Sequence, residues 1–314
     1  MEEALYSRLG FFNTDQVRSD KEGDFLTSPE VSKYFGKIIR NWIHSESNLK
    51  NIIEIGSGTG SLIEQIGIKE ITAVELSSTA REELIKKGID THTTIDELTT
   101  KTSDLIFGNE ILDNIPCSIG LYKDEGWYEK VVLLEENSLA YGLRPIRNEE
   151  LDWINKNNIV PNEDYEFEIQ VNIDKFLNSV IKKINPGKIL LFDYGYEQKN
   201  RDKRMYSSLL RTYKNHHLSV DPIDDPGNID ITYDVNFSSI SSELKYLGYD
   251  VTLKLQRDFL LDNGFNIFFD ELQEKYIAAE GIEKLKINSE LNGMKAIVDS
   301  NGLGGFYCLI AEKL

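Results

Sequence analysis

Two arrangements of residues in this chain have the types and spacing to do chemistry. The first is Ile53-Glu54-Ile55-Gly56-Ser57-Gly58-Thr59-Gly60, with three glycines on alternate positions after a strand-like run and before a helical one. Glycine lets the backbone approach a ligand closely and adopt positive φ. The spacing is not the G-x-G-x-x-G of hydride-transfer dinucleotide folds, and no Gly-Lys-Ser/Thr follows to make a phosphate loop. Glu75 ends the next strand-like run, where a carboxylate can accept hydrogen bonds from both ribose hydroxyls. A glycine loop alone reads equally well as a turn. Strand, loop, helix and strand with a terminal acid together point to a nucleoside-type ligand. Glu54 could then reach a ligand ammonium or tie the loop backbone.

The second arrangement is Asn109-Glu110-Ile111-Leu112-Asp113, just past the apolar run Asp104-Leu105-Ile106-Phe107. Ligands of open α/β sheets bind at the carboxyl ends of strands. If these residues form a helical turn, the carboxylates of Glu110 and Asp113 share a face; a lone Glu-x-x-Asp is otherwise a helix cap or a solvated face. Asp193 and Tyr194 occupy another strand tip, where a tyrosine can stack on an acceptor, hydrogen-bond it, or finish the core. His216, near Tyr213 in a polar stretch, could serve as a general base or stabilise its loop. Arg204 and Arg211 read as solvated or binding alike. Thr27 or Ser28 can cap a helix with Pro29 at its first position and Glu30 in its first turn.

The elements that must position these groups alternate. Helical spacing of Tyr34, Phe35, Ile38, Ile39, Trp42 and Ile43 predicts a helix over 32–44. Strands follow at 51–55, 71–75, 89–91 and 104–107, with helices over 61–66 and 80–87. The period then changes to alternation, and 127–134 with 139–143 read as hairpin strands inserted beside the main sheet. A helix near 173–184 leads through Pro186-Gly187 into a central strand over 188–194. Residues 198–228 read as a long loop with one helical turn, and 305–311 as a last, antiparallel strand. The expected class is α/β: a parallel, Rossmann-like sheet with helices on both faces and an antiparallel final strand. One domain over 1–314 is expected: an N-terminal segment (1–45), the first half of the sheet (46–116), an inserted segment (117–165) and the second half (166–314) with a long loop over 196–240.

The 314 residues carry 35 Lys and Arg against 53 Asp and Glu, a formal charge of −18. That excludes a surface built to hold nucleic acid, which needs basic stripes; it gives solubility and suits a cationic partner. The two cysteines, Cys117 and Cys308, make neither a disulfide scaffold nor a zinc site, and no metal is expected. The start lacks the marks of a secretion signal or transit peptide, and no apolar run reaches the ~20 residues that span a bilayer. A cytoplasmic protein without membrane insertion is expected.

Several further strings line up with one family. Gly23-Asp24-Phe25-Leu26-Thr27-Ser28-Pro29-Glu30-Val31-Ser32 with Phe35-Gly36, then Asn109 to Pro116 as N-E-x-L-D-x-x-P, Trp127-x-Glu129, Asp193-Tyr194-Gly195, Tyr213-x-x-His216, Asp225-Pro226-Gly227 with Asp230-Ile231-Thr232, and Gln256-x-x-Phe259-Leu260 occur in order. With the glycine loop, which resembles motif I of S-adenosylmethionine methyltransferases, they resemble the MidA-like methyltransferases, the family of the mitochondrial complex I assembly factor that methylates an arginine. The chain departs from that pattern before Ala4, at Ser207-Ser208-Leu209, at Val235-Asn236-Phe237 and at Arg257-Asp258, mainly on segments expected to cover the substrate.

The resemblance implies S-adenosyl-L-methionine as cofactor, covered by the segment 1–45 and held by Thr27, Ser28, Glu30, Glu54, Gly56, Ser57, Gly58, Thr59, Gly60, Glu75, Leu76, Asn109 and Glu110, with 117–165 as an inserted substrate segment. It implies protein arginine N-methylation, with Glu110 and Asp113 orienting the guanidinium and an arginine-bearing protein as partner; Tyr194 and His216 are the further catalytic candidates. A guanidinium has a pKa above 12 and disperses its charge, so carboxylates must orient it and remove a proton. A small-molecule O- or N-methyltransferase of the same fold and a non-catalytic assembly factor are the alternatives. A homodimer is compatible with any of them.

Overall fold

Short runs of branched and aromatic residues, buried on both faces, build the centre of the molecule. The computed structural model describes residues 1–13, 27–46, 49–98, 103–136, 138–203, 209–214, 217–218 and 221–313. The chain opens with α1 (Glu2–Tyr6), α2 (Ser28–Val31) and α3 (Tyr34–Ser45). It then alternates β1 (Ile52–Ile55), α4 (Ser61–Ile66), β2 (Ile71–Val74), α5 (Ser78–Lys86), β3 (Thr91–His92) and β4 (Ser103–Asn109). An inserted block follows: β5 (Ser118–Lys123), β6 (Gly126–Glu135), β7 (Ser138–Pro145), α6 (Asn148–Lys156) and β8 (Tyr165–Ile169). The chain returns through α7 (Val171–Ile181) to β9 (Ile184–Asp193) and the short strands β10 (Gly195–Tyr196), β11 (Leu210–Lys214), β12 (His217–Leu218), β13 (Asp230–Tyr233) and β14 (Val235–Asn236). It ends with α8 (Phe237–Tyr246), β15 (Asp250–Leu255), α9 (Gln256–Asp262), α10 (Phe265–Ala278), α11 (Gly281–Val298) and β16 (Tyr307–Lys313).

The main sheet has the order β15-β16-β9-β4-β1-β2-β3. Strands β1, β2, β3, β4 and β9 are parallel, and β16 is antiparallel to both β9 and β15, so the expected α/β class and antiparallel last strand are found. Successive side chains of β4 go to opposite faces. Leu105 and Phe107 join a core with α3, α4 and α9 to α11, while Ile106 joins the core of α7 and α8. Edge-to-face ring pairs tie α3 to the sheet and α9: Phe35 to Phe192 at 5.2 Å, and Phe192 to Phe259 at 5.2 Å. Such pairs add ~0.5–1.5 kcal/mol each beyond burial.

The structure departs from the sequence reading in four places. The insertion is a four-stranded antiparallel sheet, ordered β7-β6-β5-β8, rather than one hairpin. Pro186 and Gly187 lie inside β9, beside a register shift against β4, where a Cβ on Gly187 would sit 2.5 Å from the Asp104 carbonyl oxygen. Proline and glycine are tolerated in a strand at such an irregularity. The stretch read as a loop contains β11 and β12, and β11 pairs with β13 in a three-stranded sheet; its helical turn is the 3-10 turn Gln198–Lys203. Residues 110–115 form a turn, closed by the Ile115 amide on the Leu112 carbonyl at 3.2 Å, and not a helix. Among the described residues, no helix is long and apolar enough to cross a membrane.

Candidate functional site

The loop after β1 is shaped by its glycines and tied to the end of β2. Gly56, Gly58 and Gly60 have φ of 68°, 52° and 85°. The left-handed region costs an L-residue ~1–2 kcal/mol and glycine nothing. A Cβ on Gly56 would also strike Ile111 Cγ2 at 2.3 Å. The Gly56 amide donates to the Val74 carbonyl at 2.8 Å, and the Gly58 amide to Glu75 Oε2 at 2.8 Å. Glu75 Oε1 accepts the Ser77 amide at 2.7 Å. Burial raises the Glu75 pKa, opposed by these two amides.

Between this loop, α2 and the end of β4 lies a cavity of about 250 Å³. Thr27, Glu30, Glu54, Gly56, Ser57, Gly58, Thr59, Glu75, Leu76, Asn109 and Glu110 of the sequence-derived set lie on its wall. Gly60 and Ser28 support the wall without joining it: the Gly60 amide closes the loop on the Ser57 carbonyl at 2.8 Å, and the Ser28 amide donates to Glu110 Oε1 at 3.2 Å. Thr27 occupies the cap position of α2 without a side-chain cap bond, and Pro29 is the second helical residue, not the first. The Glu54 loop tie runs through its backbone, whose carbonyl accepts the Ser57 hydroxyl at 3.1 Å. Its carboxyl is buried, which pushes its pKa well up, and Glu54 Oε2 and Asn109 Oδ1 have no hydrogen-bond partner among the described residues. Two unpartnered acceptors on residues of one cavity wall fit a ligand ammonium. Glu75 keeps free acceptor capacity for hydroxyls, because a carboxylate has about four lone-pair sites.

Glu110 and Asp113 have separate surroundings. Glu110, at φ 52°, takes a left-handed turn directly after β4 and lines the cavity. Burial, with the Asp113 charge adding, raises its pKa to about 8; the Asn109 amide at 2.9 Å and the Ser28 amide oppose this. Asp113 is not on the cavity wall, which corrects the shared-face expectation. Asp113 Oδ2 accepts the Tyr194 hydroxyl, and Arg211 lies 4.7 Å over the Tyr194 ring. Arg211, which the sequence left between solvated and binding, is buried and pairs with Asp234 at 2.8 Å. Burial raises the Asp113 pKa to about 6, opposed by Tyr194 and Arg211. Asp193 is also buried and pushed well up, with Asp113 adding; it accepts the Leu112 amide at 2.7 Å and so holds the turn. Tyr194 therefore supports Asp113 rather than lining the cavity, and His216 lies outside the described residues.

Sequence reasoning missed Tyr6, Phe12, Ile111, Asn114 and Phe176 on the wall. The Tyr6 hydroxyl donates to the Asn114 carbonyl at 3.1 Å, and Asn114 Nδ2 to Asp230 at 2.9 Å. The apolar cluster Leu5, Phe11 and Phe12 beside a polar start was the available signal for this wall, because those residues pack on Ile229 and Ile231.

Known proteins resemble this chain in sequence and in fold. The chain is 25% identical over 308 residues to "Protein arginine methyltransferase NDUFAF7 homolog, mitochondrial" of Caenorhabditis elegans, covering 83% of this chain and 70% of that protein. It is 25% identical over 322 residues to "Protein arginine methyltransferase NDUFAF7, mitochondrial" of Danio rerio, covering 85% and 72%. A crystal structure from Burkholderia thailandensis, of a protein bound to S-adenosyl-homocysteine, shares the fold with a TM-score of 0.85 at 22% identity, over 99% of this chain and 86% of that one. A family model described as "Putative S-adenosyl-L-methionine-dependent methyltransferase" matches residues 36–252, from α3 through the glycine loop and Glu110 to β15. The chain belongs to this family of S-adenosyl-L-methionine-dependent methyltransferases.

Proposed function

We propose that the methyl acceptor is an arginine of a protein, and that Glu110 holds its guanidinium. The observation that carries this reading is Glu110 on the cavity wall, with the pKa of its carboxyl raised to about 8 by burial and by the charges of Asp113 and Glu30. Crowded, desolvated acids are relieved by a cation. Glu54 and Asn109 would take the cofactor ammonium, Glu75 the ribose hydroxyls, and Thr27, Leu76 and the glycine loop the remaining wall. Bound S-adenosyl-L-methionine supplies the methyl group, whose bond to sulfur breaks as a bond to nitrogen forms.

The residues of this chain then orient, exclude water and move one proton. A guanidinium that gains a methyl group sheds one proton to remain a monocation. Glu110 holds a proton at neutral pH until a cation faces it; a bound guanidinium favours its carboxylate, which can then take up the proton shed. Asp113 acts behind it, adding negative charge while Tyr194 and Arg211 hold it in place. The names of the relatives support the arginine reading. Its test is incubation of the enzyme with S-[methyl-³H]adenosylmethionine and cell extract, followed by acid hydrolysis of the protein fraction. Labelled methylarginine that disappears with Glu110→Gln is expected; label confined to small molecules would overturn the reading.

A further inference from the structure

Gln256, the first residue of the sequence string ending in Phe259-Leu260, is far from the cavity wall in sequence and absent from it in space, yet its side chain is completely buried. A buried amide must find partners for two N–H groups and an oxygen. Gln256 Nε2 donates to the Ile297 carbonyl at 3.0 Å, in the last turn of α11, where helical carbonyls lack intrahelical donors. A carbonyl can only accept, which fixes the orientation of the amide. Nε2 is also 3.1 Å from Ser28 Oγ, and that hydroxyl lies 3.2 Å from Gln256 Oε1. The Gln256 backbone amide donates to the Phe306 carbonyl at 2.7 Å. One side chain thus joins α9, the end of α11 and the first residue of α2. The partner it holds, Ser28, turns its own amide onto Glu110 Oε1.

We propose that Gln256 is a positioning residue that, by clamping Ser28, keeps the Ser28 amide on the Glu110 carboxylate. α2 has only four residues and no side-chain cap, so nothing in its own sequence fixes its first amide in direction. The groups facing Glu110 are Asn109 beside it, Asp113 in the same turn, Glu30 from α2 and Asp193 from the end of β9. Three of these four are acids. The Asn109 and Ser28 donors oppose them, and the Ser28 amide keeps its place only while α2 does. Without it, the carboxylate form of Glu110 is less stable and its proton is held more tightly.

The proposal rests on the reading of Glu110 as the cavity acid that answers to a cation, and its test reports on both. S-adenosylmethionine carries a sulfonium, so binding next to Glu110 expels a proton over the pH range in which that acid is protonated. Calorimetric titration in buffers of different ionisation enthalpy, from pH 6 to 9, counts the protons released. Wild type is expected to release protons in a bell-shaped dependence on pH, with buried Glu54 beside the ammonium also contributing, and Glu110→Gln to remove the part of the bell that titrates with Glu110. Gln256→Leu is expected to move the bell upward by about one pH unit, Ser28→Ala to move it the same way, and the double variant to move it no further than Gln256→Leu alone. A bell that stays in place in Gln256→Leu and Ser28→Ala, with only a lower melting temperature, would overturn the clamp and leave Glu110 in its role. Should Gln256→Leu fail to fold, Ser28→Ala decides alone. A wild-type bell that persists unchanged in Glu110→Gln would assign the proton to another acid and overturn the clamp together with the reading of Glu110.

Discussion

The carboxyls of Glu110 and Asp113, three residues apart in one turn, answer to different neighbours: Glu110 lies on the cavity wall under the Ser28 amide, and Asp113 is held behind it by the Tyr194 hydroxyl. A pair that sequence alone would treat as equivalent is divided into an acid that meets ligand and an acid that shapes the electrostatics around it.

Their substitutions should therefore fail differently. Glu110→Gln should lower methyl transfer by about 10²-fold or more while leaving the melting temperature near wild type or higher. Asp113→Asn should cost roughly 1–3 kcal/mol of stability by weakening a buried hydrogen bond to a charged group, with a smaller loss of transfer. Label-transfer rates and thermal melts on the two variants check this. Equal kinetic losses at unchanged stability would contradict the division.

Ligand-free stability should fall as pH rises. Glu110 at about 8 and Asp113 at about 6 hold protons more tightly folded than unfolded, where carboxyls titrate near 4 to 4.5. A raised pKa adds stability that is complete below the unfolded value and is lost as pH climbs through the folded one. Glu54 and Asp193 shift in the same direction. Melting temperatures should decline between pH 5 and about 8, and Glu110→Gln should flatten that slope. A melting temperature that rises over this window would count against the buried acids.

Arg211 is worth more than a surface arginine. It is buried, pairs with Asp234 at 2.8 Å and covers the Tyr194 ring. Arg211→Met leaves Asp234 without this partner and removes the positive charge near Asp113, at a cost of about 3–5 kcal/mol. Denaturant unfolding measures it; a loss under 1 kcal/mol would place the arginine among surface ion pairs.

Gly227 couples a distant turn to the cavity. Its φ is 89°, and a Cβ there would sit 2.7 Å from the Leu9 carbonyl oxygen. Gly227→Ala should displace the stretch between Tyr6 and Phe12, two residues of the cavity wall, and weaken cofactor binding several-fold although residue 227 does not line the cavity. Unchanged affinity with unchanged stability would show that the N-terminal stretch does not hold the ligand.

The half of the site that depends on local spacing was legible in the sequence. Four residues of β1, three alternate glycines, α4 and the acid after β2 form one continuous motif, and a strand, turn and helix are dictated by neighbours in the chain. The other half is made by contacts across long separations. Nothing near Asp113 announces Tyr194 or Arg211, and nothing near Ser28 announces Gln256. The strands β11 and β12 were hidden because they are five and two residues long and carry Arg, Thr, Lys and His in place of apolar alternation. Pro186-Gly187 misled for the opposite reason, a strong breaker signal absorbed by a bulge. The helices α10 and α11 were not read at all, since their buried residues are sparse: two and three respectively.

The most direct test of the account is calorimetric titration of the protein with S-adenosylmethionine and S-adenosylhomocysteine, repeated on Glu75→Ala and Gly58→Val. The account predicts micromolar binding, about −8 kcal/mol at 1 μM. That binding should be lost in Gly58→Val, where a branched side chain meets φ 52°, and weakened at least tenfold in Glu75→Ala. Binding that survives both changes would show that the cofactor does not sit in this cavity; no heat and no thermal shift with either ligand would contradict the assignment of the site altogether.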